Sequence, residues 1–354
     1  MNKSIIMNTR VLQSPTTGLQ RYVLELGKHL GNEVCTVGPK RYLNRSQGNA
    51  WEQFVLPMKV GNNVLFSPAN TGPLVFPNQV VTVHDVAQLD RYYLPELKNE
   101  IDSKAGAWYR FLTPRLIKRA AHIITISEFS KERILAHTKT NENRVTVIPN
   151  GVDARFRPHT PDEAAEKLNG LDLPSRHYML CVGSLEPRKN LARLLQAWSR
   201  IQADIPDDIW LVLTGKRGNS RVFAEAAGMD ALPPRVHFTG HVADDVLPAL
   251  YAGAVAFVFP SLYEGFGLPP LEAMASGVPV LTGNRTSLPE VVGDAGLMVD
   301  SARVDEIAEG LLALIDNEGL RKELIGKGLL RAELFDWAET AGRTWDVLRQ
   351  VAQT

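Results

Sequence analysis

Residues 254–274 read Ala254-Val255-Ala256-Phe257-Val258-Phe259-Pro260-Ser261-Leu262-Tyr263-Glu264-Gly265-Phe266-Gly267-Leu268-Pro269-Pro270-Leu271-Glu272-Ala273-Met274. Six apolar residues stopped by a proline read as a core strand of a parallel sheet, covered on both faces. Gly265 and Gly267, one residue apart, let the backbone approach a ligand closely or adopt φ > 0. Pro269-Pro270 suit a first helical turn, where N–H groups have no intrahelical partner. The helix is expected to end near Ser276, before Gly277. Strand, glycine loop and helix N-terminus in this order present backbone N–H groups and the positive end of a dipole to an anion. Two carboxylates, Glu264 and Glu272, bracket the loop with seven residues between them, Glu272 falling in the expected first helical turn. Taken alone, an acid in that position reads as a partner of the helix dipole.

The same alternation extends outward in both directions. Val278–Leu281 and Gly296–Val299 are further strands, with helical patterns near 303–316 and 318–330. Upstream, Met179–Val182 ends at Gly183 and leads through Ser184-Leu185-Glu186-Pro187-Arg188-Lys189-Asn190 into a helix with Leu191, Leu194, Leu195 and Trp198 on one face. Arg188 and Lys189 thus lie at the carboxyl edge of a sheet, as a diphosphate site requires; a solvated loop is the plain alternative. Trp210–Leu213 and Val236–Phe238 are two more strands, the second running into Thr239-Gly240-His241-Val242.

The amino-terminal half repeats the pattern less sharply. Ser4–Met7, Val80–Val83, Ile123–Ile126 and Val145–Ile148 read as strands, and Gly18 precedes a helical pattern from Tyr22 to Leu30. Val80–Val83 delivers His84-Asp85 to a strand end, where ligands of open α/β sheets bind. The pair suits a general base or a loop cap. Ser127 and Ser130 read as caps of the next helix. Residues 101–119 combine Trp108, Tyr109 and Phe111 with Arg110, Arg115, Lys118 and Arg119. That helix reads first as buried with a solvated basic edge, and second as a peripheral contact with an anionic membrane face.

Alternating strands and helices of this spacing specify an α/β protein with parallel sheets. At 354 residues two domains are expected: 1–153, a Pro- and Arg-rich linker at 154–177, 178–334, and a last helical stretch at 335–354. Lys plus Arg and Asp plus Glu are 39 each, which gives no argument for nucleic acid. Cys35 and Cys181 both sit in apolar runs, so no disulfide framework is implied. No 18-residue apolar span or signal-peptide core is present, so a cytoplasmic protein is expected. G-x-G-x-x-G, the P-loop pattern and D-x-D are absent, and no metal-ligand constellation stands out.

Glu264-x7-Glu272 around Gly-Phe-Gly-Leu-Pro resembles the E-x7-E signature of the retaining, GT-B-fold glycosyltransferases (glycosyl transferases group 1, family 4). The resemblance runs from Gly18 to about Val299 and includes Pro149-Asn150-Gly151. It implies two Rossmann-like domains facing an interdomain cleft, with the final stretch crossing back to the first domain. It further implies transfer of a hexose from a nucleoside-diphosphate sugar, which is a substrate and not a cofactor, with retention and without a metal ion. By the family's pattern, Lys189 binds the diphosphate. Arg188 supplies a second charge, because Ser184 stands where many members carry Arg. Glu264 and the Gly265–Leu268 backbone, including Phe266 and Gly267, hold the sugar. Glu272 grips the ribose, and backbone near Val242 holds the base. His84 lies near the donor sugar, and Gly18 abuts the donor phosphates or the acceptor.

Gly18 as a single glycine, together with Leu-Glu-Pro-Arg-Lys-Asn, is similar to bacterial mannosyl- and rhamnosyltransferases of surface polysaccharides. That similarity implies mannose or a 6-deoxyhexose, GDP-linked before UDP-linked, and a saccharide or lipid-linked saccharide acceptor. Two rivals remain at this stage: a nucleotide-sugar epimerase of the same fold, and a non-catalytic nucleotide-binding or membrane-associated module.

Overall fold

The computed structural model describes residues 3–14, 17–90, 104–184, 186–215 and 232–353. The chain divides into two compact units, Met1–Gly151 with Phe335–Thr354, and Val152–Leu334. The expected α/β class is met: each unit is built on a six-stranded, wholly parallel sheet.

In the first unit the strands are β1 Ile5–Asn8, β2 Cys35–Val37, β3 Val64–Ser67, β4 Gln79–Val83, β5 His122–Thr125 and β6 Val145–Val147. Their order is β2-β1-β3-β4-β5-β6. Every residue of β3 and β4 is buried, as expected of strands covered on both faces. Val81, Val83, Leu116, Ile117, Ile123 and Ile134 form one core there. The final helix Trp337–Gln353 belongs to this unit, with Thr340 Oγ donating to the Pro149 carbonyl (2.8 Å) and Arg343 to that of Val147 (2.7 Å). Gly151 is required at this docking point, because a Cβ there would lie 2.3 Å from the Trp337 nitrogen.

The second unit carries β7 His177–Val182, β8 Ile209–Thr214, β9 Val236–Gly240, β10 Ala256–Phe259, β11 Val280–Gly283 and β12 Gly296–Val299. The order is β12-β11-β10-β7-β8-β9. Chain direction across the sheet therefore reverses between β7 and β10, a topological switch point, outside whose carboxyl strand ends ligands bind in such sheets. The helix Leu191–Arg200 buries Leu191, Leu194, Leu195 and Trp198, and packs with Ile307, Leu311 and Leu314 of the helix Val304–Asp316. Each such fully buried side chain contributes roughly 1.5–3 kcal/mol. The indole of Trp198 also donates to the Pro234 carbonyl (3.2 Å), so its polar atom is satisfied.

Three local features differ from the sequence expectations. Strands β2 and β3 lie in a region with no expected strand, and Cys35, read as part of an apolar run, is exposed on β2. A helical run from residue 45 to 60 also goes beyond the expected elements: Arg45–Ala50, a π turn Trp51–Val55, and Leu56–Val60. The stretch 154–177 carries a helix, Pro161–Leu168, N-capped by Thr160 through the Glu163 N–H (3.2 Å).

Candidate functional site

The segment after β7 and the segment after β10 leave neighbouring strand ends. Pro187–Lys189 form one tight turn, closed by Asn190 in the left-handed region (φ 60°). The buried Asn190 amide donates to the Pro260 carbonyl (3.0 Å) and the Ser301 carbonyl (2.6 Å), tying the turn to the end of β10. A leucine there would face both a left-handed backbone and two orphaned carbonyls. Arg188 and Lys189 are thereby aimed at the residues after Pro260.

Glu264 receives them. Lys189 Nζ donates to its Oε1 at 2.6 Å, Ser261 Oγ donates to the same oxygen at 2.6 Å, and Arg188 donates to Oε2 at 3.1 Å. Glu264 and Lys189 are both buried. Burial alone would push the Glu264 carboxyl upward, but Lys189, Arg188 and the hydrogen bonds outweigh it and hold it below its ordinary range. Burial, reinforced by the Arg188 charge, lowers the Lys189 ammonium against the opposing pull of Glu264. Both shifts follow from one carboxylate shared by two cations in a poorly solvated place. Arg188 also meets Glu186 at 2.6 Å. In the structure the two cations expected at the diphosphate are engaged by carboxylates: Arg188 is bracketed by two, and Lys189 is held by one.

The loop 263–267 is fixed from its other side. Thr286 accepts from the Glu264 N–H (3.2 Å), and Ser287 Oγ donates to the carbonyls of Glu264 (2.9 Å) and Phe266 (2.7 Å). Phe266 is buried. Gly267, at φ 123°, precedes the helix Leu268–Ala275, so this position demands glycine. The helix starts at Leu268, before the two prolines, so Glu272 is its fifth residue and not in its first turn. The helix-dipole reading of Glu272 is thereby overturned. Its buried carboxylate instead accepts from the Tyr251 hydroxyl at 3.0 Å.

Beside Lys189, a pocket at the ends of β7 and β8 is lined by Gly183, Ser184, Lys189, Thr214, Gly215 and Phe238. Gly215 (φ 148°) could carry no side chain, since a Cβ would sit 1.9 Å from the Gly183 carbonyl oxygen. Val242 is buried just past β9, beyond Gly240 (φ 75°). Leu185, part of the quoted motif, lies outside the described residues.

His84 and Gly18 belong to the first unit. Gly18 opens the helix Gly18–Leu30 behind Thr17. His84 is buried at the end of β4, with Nε2 2.8 Å from the Pro68 carbonyl, which can only accept. Nε2 therefore carries the proton, and burial lowers the ring's basicity, leaving a neutral imidazole with its acceptor at Nδ1. Its edge meets the Tyr22 ring, 4.7 Å between centroids. Asp85 caps the next turn by accepting from the Ala87 N–H (3.1 Å), and Ser127 caps its helix through the Ser130 N–H (3.1 Å). Both are the plain readings. Among the described residues, no group of three His, Cys, Asp or Glu is arranged to hold a metal ion.

A glycosyl transferases group 1 domain matches residues 163–330, and a Glycosyltransferase Family 4 domain matches 74–156. The chain carries a glycosyl transferases group 1 domain and a Glycosyltransferase Family 4 domain. Its fold is GT-B: the Anabaena Alr3699/HepE structure in complex with UDP-glucose superposes with a TM-score of 0.73, covering 98% of this chain and 99% of that one at 17% identity. The O-antigen chain mannosyltransferase B of Escherichia coli is 37% identical over 63% of this chain and 58% of its own length. The MMP alpha-(1->4)-mannosyltransferase of Mycolicibacterium hassiacum is 32% identical over 75% and 63%. The chain thus spans less than two thirds of either relative's length. Sequence alone assigned no positioning role to Asn190, Ser261, Thr286 or Ser287, which hold the Arg188–Lys189 turn and the Glu264 loop. Small hydroxyl and amide residues next to strand ends carry no periodic signal that would single them out.

Proposed function

We propose that this glycosyltransferase moves mannose from a GDP-linked donor to a saccharide or lipid-linked saccharide acceptor of a surface polysaccharide, in the cytoplasm, with retention and without a metal ion. The observation that carries the reading is the Glu264 carboxylate held by Lys189, Arg188 and Ser261 at the switch point of the second sheet. The names of the two mannosyltransferase relatives support the sugar, and the UDP-glucose complex of the Anabaena protein supports a nucleotide sugar as donor.

In this reading the departing diphosphate develops negative charge beside Lys189, whose buried ammonium is stronger there than in water. Arg188 exchanges its Glu186 partner for a phosphate oxygen. Glu264 orients a sugar hydroxyl with acceptor capacity beyond its three donors, and Glu272 accepts from the ribose. The acceptor proton passes to the leaving phosphate on the same face of the sugar.

Thermal melts with GDP, UDP, ADP and their sugars test it. At a hundredfold its Kd the true nucleotide stabilises by roughly 2.7 kcal/mol. GDP and GDP-mannose shifting the melt, with GDP released from GDP-mannose only when acceptor is added, is the expected result. A shift with UDP or ADP but not GDP reassigns the base. Conversion of the donor sugar without acceptor points to epimerisation.

A further inference from the structure

Thr286 has a backbone that its residue type resists. Among the described residues, the non-glycine positions with positive φ are Asn70, Lys139, Asn190, Arg235 and Thr286. Asparagine tolerates the left-handed region through its short polar side chain, and Lys139 closes the helix Glu128–Thr138 in a left-handed cap. Thr286, at φ 59°, is the one β-branched residue of the five, and for such a residue this conformation is a steric outlier. It lies between β11 and the helix Leu288–Val292, so no helix C-terminus explains it. Strain of this kind persists only where the surroundings over-determine it.

Three consecutive residues clasp the loop 263–267 from this strand end. Thr286 Oγ1 donates to the Arg285 carbonyl at 2.7 Å, which commits its proton and leaves a lone pair to accept from the Glu264 N–H at 3.2 Å. The buried Ser287 Oγ lies against the carbonyls of Glu264 (2.9 Å) and Phe266 (2.7 Å). Leu288 closes over Gly267, where a Cβ would stand 3.0 Å from its Cδ2. Glu264 is thus held at its N–H, at its carbonyl and, through Lys189, Ser261 and Arg188, at both carboxylate oxygens. Of these contacts only the one to the N–H uses the strained residue. A plain turn here would be served without strain by glycine, which offers no acceptor, or by asparagine, whose oxygen sits one bond further out.

We propose that Thr286 is a positioning residue for glycosyl transfer. Its left-handed backbone delivers the hydroxyl to the Glu264 N–H, and that contact sets where the carboxylate meets the donor sugar. The inference rests on the reading of Glu264 as the group that orients a sugar hydroxyl. A free nucleoside diphosphate lacks the transferred sugar, so its affinity is independent of Thr286. Turnover is not, because a reacting constellation must be held to within about 0.5 Å.

Three substitutions separate the hydroxyl from the strain. Thr286→Val keeps the branched Cβ without the hydroxyl, Thr286→Gly removes both, and Thr286→Ser keeps the hydroxyl on a less crowded Cβ. The full chain is assayed with GDP-mannose, UDP-glucose and ADP-glucose as donors and a mannose-terminated oligosaccharide as acceptor. Turnover, the Kd of the matching free nucleotide and Tm are measured for each variant and for Glu264→Gln. In Thr286→Val and Thr286→Gly, kcat is expected to fall by roughly ten- to a hundredfold, the scale of an ångström-size misplacement, with nucleotide Kd unchanged. Thr286→Ser restores most of it. Thr286→Gly melts above Thr286→Val, because glycine adopts φ 59° freely, so activity follows the hydroxyl and stability follows the backbone. Wild-type kcat in Thr286→Val and Thr286→Gly, with Glu264→Gln slow, overturns the proposal and leaves the reading of Glu264 standing. Wild-type kcat in Glu264→Gln overturns that reading and the inference with it. A loss that Thr286→Ser does not recover, or one matched by weaker nucleotide binding, makes Thr286 a structural part of the loop and also overturns the proposal. Absence of wild-type turnover with all three donors removes it together with the activity it serves.

Discussion

Replacing Glu264 with Gln isolates the charge at the centre of the site. The carboxylate accepts from three donors, Lys189, Ser261 and Arg188. Glutamine offers one acceptor oxygen and one NH2 group, so at least one cation must face a donor. Removing one partner of a buried ion pair costs about 3–5 kcal/mol, because the remaining charge is left uncompensated. Arg188 is 28% exposed at its side chain and keeps Glu186, so its share of that cost is small. The cost falls on Lys189, 10% exposed, and the lower end, about 3 kcal/mol, is expected. In a domain of 150–250 residues this lowers Tm by roughly 6–12 °C. The pH dependence gives a sharper signature. Glu264 is held below its ordinary range when folded, so its contribution in the wild type is present above the unfolded carboxylate value, about 4.3. It is lost as pH falls through the folded value. At the alkaline end, Lys189 is already lowered in the wild type and falls further in the variant. The penalty of its buried charge then fades as pH rises toward the unfolded lysine value near 10.4. Urea titrations of both proteins from pH 4 to 10 should therefore give a stability gap that is widest near neutral pH and narrows toward both the acid and the alkaline end. A variant as stable as wild type at pH 7, or a gap unchanged at pH 10, refutes the ion cluster as what fixes this loop.

Lys189→Ala should lower kcat by roughly a hundredfold or more, the scale for one contact to developing charge, in single-turnover assays with donor and acceptor. Arg188→Ala should lower it on a similar scale; full activity would leave Arg188 with its two carboxylates as a structural group. Glu272→Gln should weaken GDP and donor alike by about 1.5–3 kcal/mol, read by calorimetry. Tyr251→Phe, which removes the hydroxyl bonded to Glu272, should weaken both by about 1 kcal/mol and leave their ratio unchanged. Activity should survive excess EDTA; loss restored by Mg2+ or Mn2+ would overturn the cationic account of the leaving group.

The strands buried on both faces were the most legible in the sequence, although Val236–Gly240 was also read with every residue only half-buried. Ala254–Phe259 is a continuous apolar run, and Val80–Val83 is broken only by the buried Thr82, because helices cover both sides of their sheets. Val64–Ser67 is equally buried, but its apolar part is too short to distinguish from a buried loop by periodicity. Cys35–Val37 is short and largely exposed, so it has no pattern at all. The run 45–60 hides for another reason: its π turn at Trp51–Val55 inserts an extra residue per turn and breaks the 3.6 period. Such a break puts Phe54 and Met58 outside while Leu56 and Val60 stay buried, and local pattern alone cannot phase it.

The site shows the same division between local and non-local information. Each of Arg188, Lys189 and Glu264 could be assigned to a strand end from its own neighbourhood. Their meeting depends on β7 and β10 being adjacent, which is a property of strand order across a separation of 75 positions. Glu272 is the instructive miss. Pro269-Pro270 suggested where the helix begins, yet Gly267 at φ 123° lets it begin at Leu268 and turns Glu272 inward. A carboxylate so placed gains little from the dipole, whose effect fades beyond the first turn. Burial makes it costly unless hydrogen-bonded, and the Tyr251 hydroxyl answers that need from a separate helix, Leu247–Ala252. A purely structural acid would be replaced there at little cost to ligand affinity. Glu272→Gln therefore separates the two roles: unchanged GDP affinity with a lower melting temperature would make the carboxylate a core group, and weakened GDP and donor in equal measure would make it a ligand group.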